Sequence, residues 1–323
     1  MTRTAPVVVV GAGVIGLTTA IRLLERAHPV RIVARELPPH TTSDVAAAVW
    51  YPYLAEPRSR VLPWSRATRE ALQRIAAADG SAGVDQVRLL ELFADTAEPP
   101  WWGSALPGFA WADPSDLPAG YGAAYDLRVP RIDTPVHMPW LLERVRALGG
   151  RLQRAAIGSL DDLLTGGAVV VNCAGLEAGA LAGDPTVQPI RGQVLRLAPV
   201  PGVTTALVDE GNPLGITYVI PRSRDIVVGG TAERGDGRSV PDPETAAAIL
   251  DRAVRLEPRL AGAPVLGHAV GLRPGRPAVR LESEPHERGV IVHNYGHGGS
   301  GFTLCWACAD EAADLVEGVL ADG

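Results

Sequence analysis

The chain has 323 residues, 46% of them hydrophobic, and its 30 basic and 36 acidic side chains give a net charge of -6. That length suits about two domains with a substantial core, and the balance lacks the basic excess that sequence-independent phosphate binding needs, so nucleic acid is not an expected partner. All of the basic residues are arginine, which excludes a pyridoxal phosphate enzyme with its Schiff-base lysine and a P-loop ATPase with its phosphate-binding lysine.

The start, MTRTAPVVVV, runs directly into a strand-like segment and leaves no room for the regions of a signal peptide. Val7 to Val10 is a continuous β-branched run, the pattern of a buried central strand in a parallel sheet. Gly11-Ala12-Gly13-Val14-Ile15-Gly16 follows, then Leu17, Ala20, Ile21 and Leu24 at helical spacing, and Val30 to Ala34 reads as a second strand ending at Arg35-Glu36. This is a dinucleotide-binding unit. Gly11 permits the tight turn, Gly13 lets the backbone approach a pyrophosphate, Gly16 allows close helix-strand packing, and the helix N-terminus supplies donors and positive dipole. Glu36, about twenty positions after Gly16, stands where a carboxylate grips a ribose hydroxyl. The motif does not separate NAD from FAD, and Arg35 also fits an NADP 2'-phosphate, which keeps an NADP-dependent reductase open at this point.

Further along, His40 to Tyr53 (HTTSDVAAAVWYPY) sets hydroxyls among small apolar residues, suited to backbone lying close against a flat ring. Gly166-Gly167 precede Val169-Val170-Val171-Asn172-Cys173-Ala174-Gly175, another buried-strand pattern. Thr217 to Pro221 and Asp225 to Gly229 read as paired strands joined at Arg222-Ser223-Arg224. A helix is predicted over Pro243 to Leu256, with Asp242 as N-cap and Ala246, Ile249, Leu250 and Val254 on one face. Near the end, His293-Asn294-Tyr295-Gly296-His297-Gly298-Gly299-Ser300-Gly301-Phe302-Thr303 leads into a helix from about Thr303 to Leu320, a glycine-rich close approach suited to an electron-rich ring edge. His293 and His297 are four apart, but Gly296 between them makes a loop, and no metal is expected. Cys305-Trp306-Ala307-Cys308 has redox spacing, yet it lies in the apolar face Leu304, Ala307, Cys308, Ala312, so core packing is the expectation. With Cys173 the cysteines are an odd count, which argues against a secreted disulfide framework. No apolar run approaches the ~20 residues of a membrane span, and the expected location is the cytoplasm.

Six segments in one order, TTSDVAAAVWYPY, NCAG, RGQ (Arg191 to Gln193), TYVIPR (Thr217 to Arg222), GLRPGRPAVRLE (Gly271 to Glu282) and HNYGHGGSGFT, resemble the D-amino-acid oxidase family of FAD-dependent amine oxidases, which includes D-aspartate oxidase. Residues 55 to 130 match it weakly. The resemblance implies FAD, with its pyrophosphate on Val14 and Ile15, its flavin lined by Thr42, Ser43, Ala47, Ala48 and Val49, its adenine at the Ile157 backbone, and the pyrimidine end of its ring system at Gly298, Gly299, Gly301, Phe302 and Thr303. Arg35 and Glu36 stand where some relatives carry Asp-Arg, which leaves open which of the two meets the ribose.

The implied reaction is oxidative deamination of a D-amino acid by hydride transfer to flavin, giving a 2-oxo acid, ammonia and hydrogen peroxide, with molecular oxygen as second substrate. Such a reaction needs orientation and charge complementarity more than a general base. A substrate carboxylate calls for an arginine fork; Arg280 with the Tyr218 hydroxyl stands at what look like the family's positions, Arg273 and Arg276 being able to exchange roles with it, and the Gly299 carbonyl would take the amine. The anionic reduced flavin would lie at the N-terminal dipole of the last helix. Val49, Tyr53, Leu214 and Tyr218 are the expected pocket contributors, none cationic, which favours neutral, apolar D-amino acids over D-aspartate and D-glutamate unless Arg222 or Arg224 folds inward. A related oxidase of glycine, sarcosine or D-aspartate, an NADP-dependent reductase and a non-catalytic flavin-binding protein are the alternatives. The expected architecture is α/β: a Rossmann-like FAD-binding fold built discontinuously from 1–53, 131–183 and 265–323, and a mixed or antiparallel-sheet substrate domain from 54–130 and 184–264.

Overall fold

The computed structural model describes residues 6–52, 55–103, 108–165 and 168–322. Tyr53, Gly166 and Gly167 lie outside the described residues. In chain order the elements are β1 (Val7–Val10), α1 (Val14–Glu25), β2 (Val30–Ala34), α2 (Thr42–Val45), α3 (Arg58–Ala78), β3 (Val84–Phe93), β4 (Ala110–Trp111), β5 (Ala123–Ile132), α4 (Thr134–Ala147), β6 (Arg151–Arg154), β7 (Val169–Asn172), α5 (Ala178–Leu181), β8 (Gln188–Leu197), β9 (Ala206–Asp209), β10 (Thr217–Pro221), β11 (Ile226–Gly229), β12 (Glu233–Arg234), α6 (Pro243–Leu256), β13 (Val265–Gly275), β14 (Arg280–His286), β15 (Gly289–Tyr295) and α7 (Gly301–Asp322).

They form two sheets. The first runs β14-β15-β7-β1-β2-β6 and is parallel except at β14. Its centre is β1 and β7, whose eight residues are all buried. Apolar runs without alternation settle there because both faces of a parallel sheet are covered. The second sheet runs β12-β8-β11-β10-β9-β3-β5-β4, with β13 on the other side of β8, and is antiparallel except where β3 meets β9. The α/β architecture with a second, mixed sheet is therefore the one expected.

Local signals explain several boundaries. The paired strands β10 and β11 turn at Arg222-Ser223-Arg224, where the Arg222 guanidinium donates to Asp225 at 2.7 Å. Helix α6 begins where Asp242 accepts a hydrogen bond from the Thr245 N–H at 2.7 Å and Pro243 occupies the first turn. One segment differs from the sequence expectation: Val265–Gly275, assigned there with the cofactor fold, pairs with β8 over almost its whole length and belongs to the second sheet. The Pro274-Gly275-Arg276-Pro277 stretch lies where the chain leaves that ladder.

One apolar cluster runs under both sheets, joining Leu17 and Ile32 to Leu72, Leu89 and Leu127 and to Val292, Leu304 and Cys308. Helix α3 lies against α7, where the Ala307 N–H donates to Thr68 Oγ1 at 3.1 Å and the Trp64 indole to Glu311 at 2.8 Å. Cys305 and Cys308 are free, fully buried thiols, pushed up by burial, Cys305 to about 12, which is the packing role expected of them. Among the described residues no helix is long and apolar enough to cross a membrane.

Candidate active site

A cavity of about 690 Å³ lies between the two sheets. Its floor on the first sheet is the turn after β1. Gly11 has φ +105°, and a Cβ there would stand 2.4 Å from the Cys173 carbonyl oxygen. At Gly16 a Cβ would meet the Gly11 carbonyl oxygen at 2.1 Å, so Gly16 serves helix-strand packing and is not itself part of the lining. Gly11, Gly13, Val14 and Ile15 line the cavity, and the Val14 N–H donates to Ser43 Oγ at 3.0 Å. The first turn of α1 thus faces the cavity with backbone donors and no Cβ at its cap.

Arg35 and Glu36 both reach the cavity from the end of β2. Each has a partner: Arg35 donates to Glu177, and Glu36 accepts from Arg154 at 3.0 Å. Ile157 lines the same end, and Thr42, Ser43, Ala47, Ala48 and Val49 form the next stretch of wall. Gly298, Gly299, Gly301, Phe302 and Thr303 close it from the start of α7. Thr303 Oγ1 donates to the Tyr51 carbonyl at 2.8 Å and fastens that helix to the 50–51 backbone. His297 also lines the cavity; its Nε2 is buried without a partner, and burial lowers its pKa to about 3, which keeps the ring neutral. The Asn294 amide oxygen is likewise buried and unpartnered, while its nitrogen donates to Thr19 Oγ1 at 3.1 Å. A long groove of backbone donors and small residues suits a dinucleotide carrying a flat polar ring.

The opposite wall is the face of the second sheet. Register sets Glu91 opposite Val208, Val208 opposite Tyr218, and Tyr218 opposite Gly229. Any Cβ at Gly229 or Gly230 would fall 2.3 or 2.8 Å from the Tyr218 ring, and one at Gly192 would fall 2.3 Å from the Arg273 guanidinium. Three glycines thus clear the room for two side chains. Arg273 donates to the Thr231 carbonyl at 3.0 Å, and its guanidinium acts on the Tyr218 hydroxyl beside it. Burial raises the Tyr218 phenol, offset in part by the Arg273 cation.

Two residues expected here are elsewhere. Arg280 starts β14 in the first sheet and is not part of the lining; its guanidinium folds along its own strand to Glu282 at 2.7 Å, Glu284 at 2.6 Å and the Tyr295 hydroxyl at 3.0 Å. The arginine on this wall is Arg273, because β13 belongs to the second sheet and the chain crosses to the first before Arg280. Leu214 is 61% exposed and also outside the lining: the Asn212 side chain accepts its N–H at 2.9 Å in a turn at the sheet's end. Arg276 pairs with Asp184, and buried Arg222 is held by Asp225 and Thr134; neither lines the cavity, nor does Arg224. The sequence reading missed Tyr51, Val208, Glu210, Ile216 and Ile220, all of which line it. Alternation was the available signal, Val208/Glu210 and Ile216/Tyr218/Ile220 being period-two sets.

The family model of FAD dependent oxidoreductases matches residues 6–315 of the chain. The chain is similar to the D-amino-acid oxidase of Rubrobacter xylanophilus, 51% identical over 98% of this chain and 97% of that one. It is also similar to the human D-aspartate oxidase, 38% identical over 97% and 95%. In structure it resembles glycine oxidase from Bacillus cereus, with a TM-score of 0.84 at 19% identity over 97% of each chain. Family, fold and the glycine-turn cavity agree, and the chain belongs to the D-amino-acid oxidase family of FAD-dependent oxidoreductases.

Proposed function

We propose that the protein oxidises neutral, apolar D-amino acids to 2-oxo acids, ammonia and hydrogen peroxide, the first sheet with its helices holding FAD and the face of the second sheet holding substrate. The observation that carries this reading is the Arg273–Tyr218 pair on the cavity wall opposite the glycine turn. A planar guanidinium and a phenol hydroxyl, side by side and half-sheltered, form a donor set for one carboxylate. When bound, FAD would supply the two-electron oxidising power, with molecular oxygen as the final acceptor.

On this reading Gly11, Gly13, Val14 and Ile15 bind the pyrophosphate, Glu36 or Arg35 meets the ribose, Ile157 meets the adenine, and Thr42, Ser43 and Ala47 to Val49 flank the flavin. Gly298 to Thr303 face the pyrimidine end, where the α7 N-terminus favours negative charge. Arg273 and Tyr218 fix the α-carboxylate, and the Gly299 carbonyl accepts a hydrogen bond from the amine, so that the Cα–H is oriented and the chain need move no proton itself. The imine released hydrolyses in water. Val49, Val208, Ile216 and Ile220 supply an apolar wall for the side chain, and an acidic side chain there loses hydration without gaining a cation. The three buried free thiols suit a reducing compartment, and we place the enzyme in the cytoplasm.

Peroxide release from purified, FAD-loaded protein against paired D- and L-amino acids tests the reading. Turnover of D-valine, D-methionine and D-alanine, with none of their L-forms and less of D-aspartate, is the expected result. Absence of peroxide with every D-amino acid overturns it.

A further inference from the structure

The side-chain end of the cavity is acidic. Continuing the register of Thr217 with Asp209 puts Glu210 opposite Ile216, on the same face as Val208 and Tyr218, and Glu210 lines the cavity. Glu91 stands in the next strand, opposite Val208 and only 7% exposed, and Tyr51, itself part of the lining, donates its hydroxyl to Glu91. Among the described residues Glu210 makes no hydrogen bond or ion pair, while Glu91 has the Tyr51 hydroxyl alone. Burial raises both carboxyls to about 7, and the charge of Glu91 adds to the rise at Glu210. Two carboxyls with no cation between them, in a cavity that carries Arg273 on another strand of the same sheet, make that cavity bipolar.

We propose that Glu210 is a specificity-determining residue, which opens the side-chain end of the substrate cavity to D-amino acids bearing a terminal cation, D-lysine being the type. Such a substrate is complementary at both ends: its α-carboxylate meets Arg273 and Tyr218, its methylenes lie along Val208 and Ile216, and its ammonium meets Glu210 with Glu91 behind it. The ammonium supplies the partner the carboxyl lacks. Short apolar side chains end before Glu210 and are indifferent to it, whereas D-glutamate brings a like charge to the same wall. The proposal rests on the reading of Arg273 and Tyr218 as the carboxylate anchor.

The test compares D-lysine with D-norleucine, which has the same carbon chain without the terminal amine, in the FAD-loaded wild type and in Glu210→Gln. The kcat/KM ratio of D-lysine to D-norleucine is expected to fall about tenfold or more in the variant, the scale of one hydrogen bond between charged groups, while the ratio of D-glutamate to D-norleucine rises. An unchanged D-lysine ratio with normal D-norleucine turnover overturns this proposal and leaves the functional reading intact. Loss of turnover with every D-amino acid in the wild type overturns both. Wild-type binding of 6-aminohexanoate against hexanoate, followed by the flavin absorbance, gives the same answer without a variant: tighter binding of the amine, with proton release near pH 7, supports it, and equal or weaker binding overturns it.

Discussion

The two sheets face one cavity with different materials. The parallel sheet contributes backbone: a turn in which Gly11 and Gly16 leave no room for a Cβ, and a helix start with glycine at its cap, continued by the small residues Ala47, Ala48 and Val49, whose backbone is bridged to β5. Its ionic groups there, Arg35 and Glu36, sit at the rim and are already paired. The second sheet contributes side chains standing off a pleated face, Arg273, Tyr218 and Glu210, with glycines set beside the first two to clear their space. A wall made of backbone tolerates exchange of side chains and fails when a methyl group is added. A wall made of side chains is sensitive to each of them separately, and its chemistry can be changed one residue at a time.

That contrast can be broken by substitution. Arg273→Ala should lower kcat/KM by roughly 2 to 5 kcal/mol in free-energy terms, the cost of losing a charge-assisted contact, with the flavin spectrum retained; steady-state kinetics on D-methionine measure it. Gly16→Ala should act on the other wall. A Cβ 2.1 Å from the Gly11 carbonyl must push α1 off the turn, so flavin titration of the apoprotein should show affinity weakened tenfold or more, at a stability cost of about 1–3 kcal/mol.

The third prediction concerns pH. The Glu91 carboxyl is held up at about 7 by burial, against an ordinary value of 4.5. Below 4.5 it is neutral in folded and unfolded chain alike. As pH rises toward 7 the unfolded chain ionises first, and stability is lost across that window. In denaturant titrations at pH 5 and pH 8, Glu91→Gln should gain on the wild type as pH rises, by on the order of 2 kcal/mol; a pH-independent difference would mean that Glu91 is ionised throughout. Arg280→Ala should have the smallest effect. It severs three contacts at a sheet edge, at about 1 kcal/mol of stability, and leaves kcat/KM within about threefold of the wild type.

The cofactor wall was legible in the sequence because its information is local. β1, the glycine turn, α1 and β2 occupy one short stretch, in which a β-branched run, three glycines and helical spacing each have one physical meaning. The substrate wall was legible only in part. Arg273, Arg276 and Arg280 stand in one Pro-rich run, and nothing local tells which faces a cavity. Pairing of β13 with β8 decides it, and that ladder joins segments far apart in the chain. Tyr218 was found through its motif, whereas Leu214, four residues earlier, is turned outward by the Asn212 side chain. Glu91 and Glu210 were missed because only the parallel pairing of β3 with β9 brings them together, and a single glutamate in a strand reads as a solvated face.

The apolar cluster shared by Leu17 and Ile32 with Leu72, Leu89 and Leu127 has a thermodynamic meaning for the enzyme as a whole. Neither sheet can melt without stripping apolar cover from the other, so the chain should resist heat and protease as one cooperative body, and a fragment holding either sheet alone should expose those leucines and aggregate. Occupancy of the nucleotide groove is then felt far from where it occurs. FAD binds only the native form and should therefore raise the midpoint of unfolding for the Arg273 sheet as much as for the glycine turn, making cofactor supply a control on how long the substrate wall survives.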